Sequence, residues 1–201
     1  KGSMNGLEKL QNVKLSGKKV IIDDDCFNNC DSLNKIEIIE SEYIKICNNG
    51  FKNCNKFEII ELICKNNSEN TPKIQLEEHC FKNAKSLKDI TFTGGETSIR
   101  NNCLKDCISL DKISFVKAGK ITFSKEQFMN CPLSNIIIES NSSVNLDTNC
   151  FQGSKNLGII TISGKNVTLN DGCFQNCPSL KTIVFHPVSN VTLGSSVFLK
   201  C

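Results

Sequence analysis

Thirteen cysteines, two histidines and a recurring set of aspartates and asparagines are the residues of this 201-residue chain that could do chemistry. Four thiolates or imidazoles converging from close pairs would hold zinc. A thiol beside an imidazole would make a nucleophile. Clustered carboxylates would hold a hard cation. The spacing argues against each. His79 and His186 stand 107 positions apart in what proves to be a repeating chain, so no shared triad or metal pair follows. The sequence contains no glycine-rich phosphate loop, no paired-histidine helix motif and no repeated aspartate-bearing calcium signature. No catalytic residue, metal ligand or cofactor is expected.

The cysteines fall into two columns set by an aromatic anchor. Cys26, Cys80, Cys103, Cys150 and Cys173 stand one residue before it, and Cys30, Cys54, Cys107, Cys131, Cys177 and Cys201 three after it, which leaves Cys47 and Cys64 out of register. The first column also accepts Gly50, Gln127 and Val197, and the second Leu7, Ala84 and Ser154. Replacement by small or apolar residues is how a packing slot behaves, and a free cysteine packs as a small hydrophobe. The columns therefore read as buried free thiols, with disulfides between stacked coils and metal binding as the alternatives.

The elements that position these columns come from the repeat itself. The anchor recurs at Met4, Phe27, Phe51, Phe81, Leu104, Phe128, Phe151, Phe174 and Phe198, in steps of 23 or 24 residues except for one of 30. The extra residues fall in 64–72, a polar stretch ending at Pro72 that predicts a loop bulging from one coil. Each unit carries a leucine-type slot (Leu10, Leu33, Phe57, Leu87, Leu110, Leu133, Leu157, Leu180) and then an apolar pair two residues apart, as in Ile36/Ile38 and Ile136/Ile138. A second such pair precedes each anchor, as in Ile44/Ile46 and Val167/Leu169. A spacing of two puts side chains on one face of a strand. Two short strands per coil follow.

Hydrogen-bond acceptors stand three residues before the anchor (Asp24, Asn48, Asn101, Thr148, Asp171, Ser195), and residues tolerant of the left-handed conformation stand two after it (Asn29, Asn53, Asn83, Asp106, Asn130, Gly153, Asn176). This punctuation predicts one short helical turn per coil, capped at both ends. Glycines at 17, 94, 95, 119 and 164 are expected to turn the chain after the first strand. Such a unit cannot bury its own apolar side chains, so neighbours must stack and share them. At about 4.8 Å per rung, eight coils would form a rod or arc roughly 40 Å long.

The sequence thus reads as one solenoid domain over 1–201, of about eight units, with both ends cut within a unit. Lys1-Gly2-Ser3-Met4 has no apolar stretch of a secretory signal and reads as an expression remnant or an upstream cut. A net charge of +3 argues against nucleic-acid binding. Apolar runs such as Ile136-Ile137-Ile138 are far below the roughly 20 residues that span a bilayer, so no membrane insertion by this segment is expected. The sequons at Asn66, Asn141, Asn166 and Asn190 are no more than this composition supplies by chance.

The string Cys-Phe-x-Asn-Cys-x-Ser-Leu-Lys-x-Ile-x-Phe at Cys173 to Phe185, nearly repeated at Cys80 to Phe92, resembles the BspA-type leucine-rich repeat. The likeness covers essentially Met4 to Cys201. It departs in placing cysteine where that family commonly has alanine before the phenylalanine, and in lacking the usual proline after the Ile-x-Ile strand. The resemblance implies a mostly β member of the α/β-type solenoids: a right-handed superhelix of 23–24-residue units with a concave parallel sheet, short helical turns and a second short strand per coil. It also implies surface proteins that attach to host cells, matrix or other microbes. The expected function is therefore a non-enzymatic protein-binding domain at the cell surface or outside the cell, whose partner is a host-cell, matrix or other surface protein. An odd number of thiols suits a reducing compartment better, which keeps open a cytoplasmic interaction scaffold. Residues flanking each Ile-x-Ile pair must point to the open concave face. There Ile39, Ile59, Ile63, Val116, Ile137, Ile159 and Val184 are the candidate binding residues, the last four forming a more apolar stretch than the charged first half. β-branched residues also suit strands for packing reasons alone.

Overall fold

The computed structural model describes residues 3–65, 71–81 and 84–201. Asn83 and the sequon at Asn66 lie outside them, as does most of the predicted loop, though Cys64 is the last residue of a strand. The alternating apolar pairs form the strands expected of them: β1 (Asn12–Ser16), β2 (Lys19–Ile22), β3 (Lys35–Ser41), β4 (Tyr43–Ile46), β5 (Ile59–Cys64), β6 (Lys73–Leu76), β7 (Asp89–Thr93), β8 (Glu96–Ile99), β9 (Lys112–Ala118), β10 (Ile121–Phe123), β11 (Asn135–Ser140), β12 (Ser143–Leu146), β13 (Ile159–Leu169) and β14 (Thr182–Leu193).

Odd strands stack in one row from β1 to β13 and even strands in a second row, all parallel, over about seven turns. The register joins equivalent residues of successive units. Val13 pairs with Ile36, Ile36 with Ile60, Ile60 with Ile90, Ile90 with Ile113, Ile113 with Ile136, Ile136 with Ile160 and Ile160 with Ile183. The unit that is one residue short after Cys131 regains this register through Leu133, which is fully buried. In the last two units the rows merge, because β13 and β14 run unbroken through both and pair along their length with a shift between Ile162 and Gly164. Gly164 therefore lies inside a strand. Its missing side chain admits the Ser142 carbonyl oxygen, which an added Cβ would meet at 3.1 Å.

Between the rows the anchors stack along the axis. Phe27, Phe51 and Phe81 lie face to face with centroids 5.3 and 5.5 Å apart, and Phe128, Phe151 and Phe174 do so at 4.8 and 5.2 Å. Where Leu104 interrupts this column, Phe92 and Phe115 stack at 4.6 Å, and Phe123 turns its edge to Phe128 at 5.3 Å.

The predicted helical turns do not form, and the described residues contain no helix. The reason is a left-handed position that the sequence reading missed. The residue two before each anchor has positive φ, at Asp25, Asn49, His79, Asn102, Glu126, Asn149, Gly172 and Ser196, and so does the residue two after it, at Asn29, Asn53, Asp106, Asn130, Gly153 and Asn176. A right-handed turn cannot contain a left-handed residue at its start. The segment instead bonds to the next coil, with the amides of Phe27, Phe51, Phe128, Phe151 and Phe174 donating to carbonyls one unit on, at 2.8–2.9 Å. The expected caps follow suit: Asp24 Oδ1 accepts from the amide of Asn48 at 3.1 Å, and Asp171 Oδ1 from that of Ser195 at 2.7 Å.

Candidate functional site

Alternation along the odd strands sends one set of side chains into the core and the other onto an open face, in two rows that keep register throughout and a third that register shifts interrupt after Ile38, Ile138 and Ile162. The middle row reads Lys14, Glu37, Glu61, Thr91, Ser114, Ile137, Thr161, Val184. Its first part is charged and internally paired. Lys35 on the neighbouring row reaches Glu37 at 2.9 Å and Glu61 at 3.2 Å, and Lys14 reaches Glu37 at 3.8 Å. The hydrogen bond from Lys35 holds the Glu37 carboxyl below the usual carboxylate range, and the same bond raises the Lys35 ammonium. From β7 onward the row is uncharged.

The seven candidate residues fall on different rows. Ile137 and Val184 share the middle row with Thr161 between them. Ile59 and Ile159 lie on one flanking row, separated by Asp89, Lys112 and Asn135. Val116 on the other row pairs with Thr93, which pairs with Ile63, and Ile39 pairs with Ser16. Ile159 is 57% exposed and Val184 39%, whereas Ile39, Ile59, Ile63, Val116 and Ile137 are half-buried by their strand neighbours. Ile137, Ile159 and Val184 form an apolar grouping across β11, β13 and β14, with Ile159 on the flanking row beside the other two.

The two histidines stay apart. His79 precedes β7 and occupies a left-handed position, while His186 lies in β14. Eleven cysteines are buried, Cys47 is half-buried and Cys201 exposed, all of them free. Burial pushes the Cys54 and Cys131 thiols up to about 12, so neither is a ready thiolate at neutral pH. Asp23, Asp24 and Cys47 bring three potential ligand atoms within 4.8 Å of one another at the surface. Asp24 there already accepts the Asn48 amide, and Asp23 Oδ1 accepts that of Asp24 at 2.9 Å.

With the geometry established, the repeat can be placed. A family model for the BspA-type leucine-rich repeat region matches residues 2–117 and 74–201, in six copies. The chain belongs to the BspA-type leucine-rich repeat family. Among solved structures it is similar to the leucine-rich repeat protein of T. pallidum, at 19% identity over 90% of this chain and 70% of that one, with a TM-score of 0.46. No curated protein matches the sequence. As a BspA-type repeat the chain is of a kind that serves in protein interaction, and such families are generally non-enzymatic. No described helix is long and apolar enough to cross a membrane.

Proposed function

We propose that this domain is a cell-surface adhesion module that binds a host-cell, matrix or other surface protein, and that its site is the outward face of the odd strands on the concave side of a right-handed arc. The observation that carries the reading is the apolar grouping of exposed Ile159 and Val184 with half-buried Ile137 on the part of that face where the middle row is uncharged. An exposed apolar patch on a rigid sheet is a common place for a protein partner to bind. Regular β structure holds the patch without further ordering cost, and the charged rows beside it would set orientation.

A second reading, a cytoplasmic interaction scaffold, draws on the eleven buried free thiols, since unpaired cysteines persist best in reducing compartments. Both readings use the same face.

The test is adhesion of domain-coated beads to cell layers and to surfaces bearing purified matrix proteins. Ile137→Glu with Val184→Glu is expected to leave the circular dichroism unchanged and abolish capture. Ile136→Glu, one residue away and fully buried, is expected to unfold the domain. Undiminished capture by the outward double variant would move the site off this face.

A further inference from the structure

The two cysteine columns differ in where their thiols point. In the column after the anchor, thiols turn to the preceding coil and donate to the anchor's carbonyl: Cys54 to Phe27 at 3.0 Å, Cys131 to Leu104 at 3.1 Å, Cys177 to Phe151 at 3.4 Å and Cys201 to Phe174 at 3.0 Å. Each of these four has a backbone acceptor, and Cys177 and Cys201 in addition lie near one another. In the column before the anchor, Cys80 and Cys103 instead face one another across adjacent coils with their sulfur atoms 2.6 Å apart. Both are fully buried. The column offers neither of them another sulfur, because Gly50 lies one unit before Cys80 and Gln127 one unit after Cys103. With its amide turned so that the oxygen faces them, Gln127 accepts from the amides of Cys103 at 3.3 Å and Leu104 at 3.1 Å, which closes the column on that side. Cys150 and Cys173 are also neighbours in this column, yet no thiol–thiol hydrogen bond joins them among the described residues, and they serve as the internal comparison.

We propose that Cys80 and Cys103 are an intercoil redox pair that closes to a disulfide when the chain folds in the presence of a small-molecule disulfide such as oxidised glutathione. The place has a structural use. The phenylalanine column stops at Phe81, passes through Leu104 and resumes at Phe128, so the bond would clip the step where aromatic stacking is interrupted.

The chemistry balances as two exchanges. One cysteine thiolate attacks a sulfur of glutathione disulfide, forming a mixed disulfide and releasing one glutathione thiolate. The second cysteine, as its thiolate, attacks the protein sulfur of that mixed disulfide and releases the second glutathione. Two protein thiols are oxidised, one glutathione disulfide is reduced, and the two protons end on the released glutathiones. Burial raises the Cys80 thiol and bars the reagent, so exchange takes place before these coils close, and the finished bond is shielded afterwards.

The experiment refolds the denatured chain in a buffer of reduced and oxidised glutathione, blocks remaining thiols by alkylation and digests with trypsin. It is read by mass spectrometry on the fraction that regains the native circular dichroism. Cleavage gives peptides 74–82 and 101–105, each with a single cysteine. The expected result is these two peptides joined and two hydrogens lighter than their sum, with Cys150 and Cys173 alkylated and with Cys80 alkylated in the Cys103→Ala variant. Full alkylation of Cys80 and Cys103 in the native fraction, or Cys80 joined to any other cysteine, overturns the proposal. If oxidative refolding yields no native fraction, the same digest on protein folded under reductant, then exposed to oxidised glutathione in sub-denaturing urea, decides it by the same criteria. The outcome is independent of whether the open face binds a protein.

Discussion

His79 is the residue that most invites a chemical reading, and its backbone explains it otherwise. At φ 57° it stands in the same left-handed slot as Asn49, Asn102 and Asn149, where a side chain branching at Cβ is costly and glycine is free of strain. His79→Gly is expected to leave stability unchanged or raise it by up to about 1 kcal/mol, and His79→Val to lower it by about 1–2 kcal/mol. Chemical denaturation of both variants checks this, and a loss on His79→Gly would mean that the imidazole makes a contact of its own. The thiols make a separate prediction through pH. Burial raises Cys54, Cys64 and Cys131 from an ordinary value of 9.0 to about 12 in the folded state. Because the folded value is the higher, the contribution to stability is complete below pH 9 and is lost as pH rises toward 12. Each thiol then costs about 1.4 kcal/mol per pH unit across that window, so the urea midpoint should hold nearly constant up to pH 9 and fall steeply from there toward pH 12. Equal midpoints would show that the thiols ionise in place.

At the scale of the strand and the linking segment, legibility followed the strength of the periodic signal. Both strand rows and their register could be read, since every apolar pair is repeated and a slip by one residue would turn it to solvent. The left-handed slot after the anchor could also be read, because Asn, Asp or Gly fills it in every described unit but the last, where Lys200 stands. The slot before the anchor hid behind Glu126, His79 and Ser196, which do not advertise that conformation, and so a capped helical turn was expected where a coil-to-coil ladder forms. The candidate face was legible only in part: outward positions follow from alternation, whereas their grouping into rows depends on register that brings Thr161 between Ile137 and Val184. Packing energetics belong to this scale as well. Phe151 stacks on Phe128 and Phe174 and is fully buried, so Phe151→Ala should cost about 3–5 kcal/mol and loosen both neighbouring coils in hydrogen exchange. A loss confined to its own coil would show that the anchors do not act as a column.

Over the whole molecule, contacts are almost entirely between nearest neighbours in the stack, which makes stability close to a sum over coils and their interfaces. The first strand row begins at β1 and ends at β14, so the two termini lie at opposite ends of the ladder. Ladder bonds between stacked strands point along the stack, and tension applied to the ends therefore pulls each bond along its own length, one rung after another, instead of shearing a whole row at once. The domain should answer a pulling force as a ratchet of small equal yields. Each yield would free one unit of 23 or 24 residues, about 80 Å of extended chain, with one longer step at the 30-residue turn. Single-molecule stretching would record this as evenly spaced low-force events, and a single high-force rupture would contradict it. A chain built this way would act as an extensible tether, giving length under load while the coils not yet reached keep their shape.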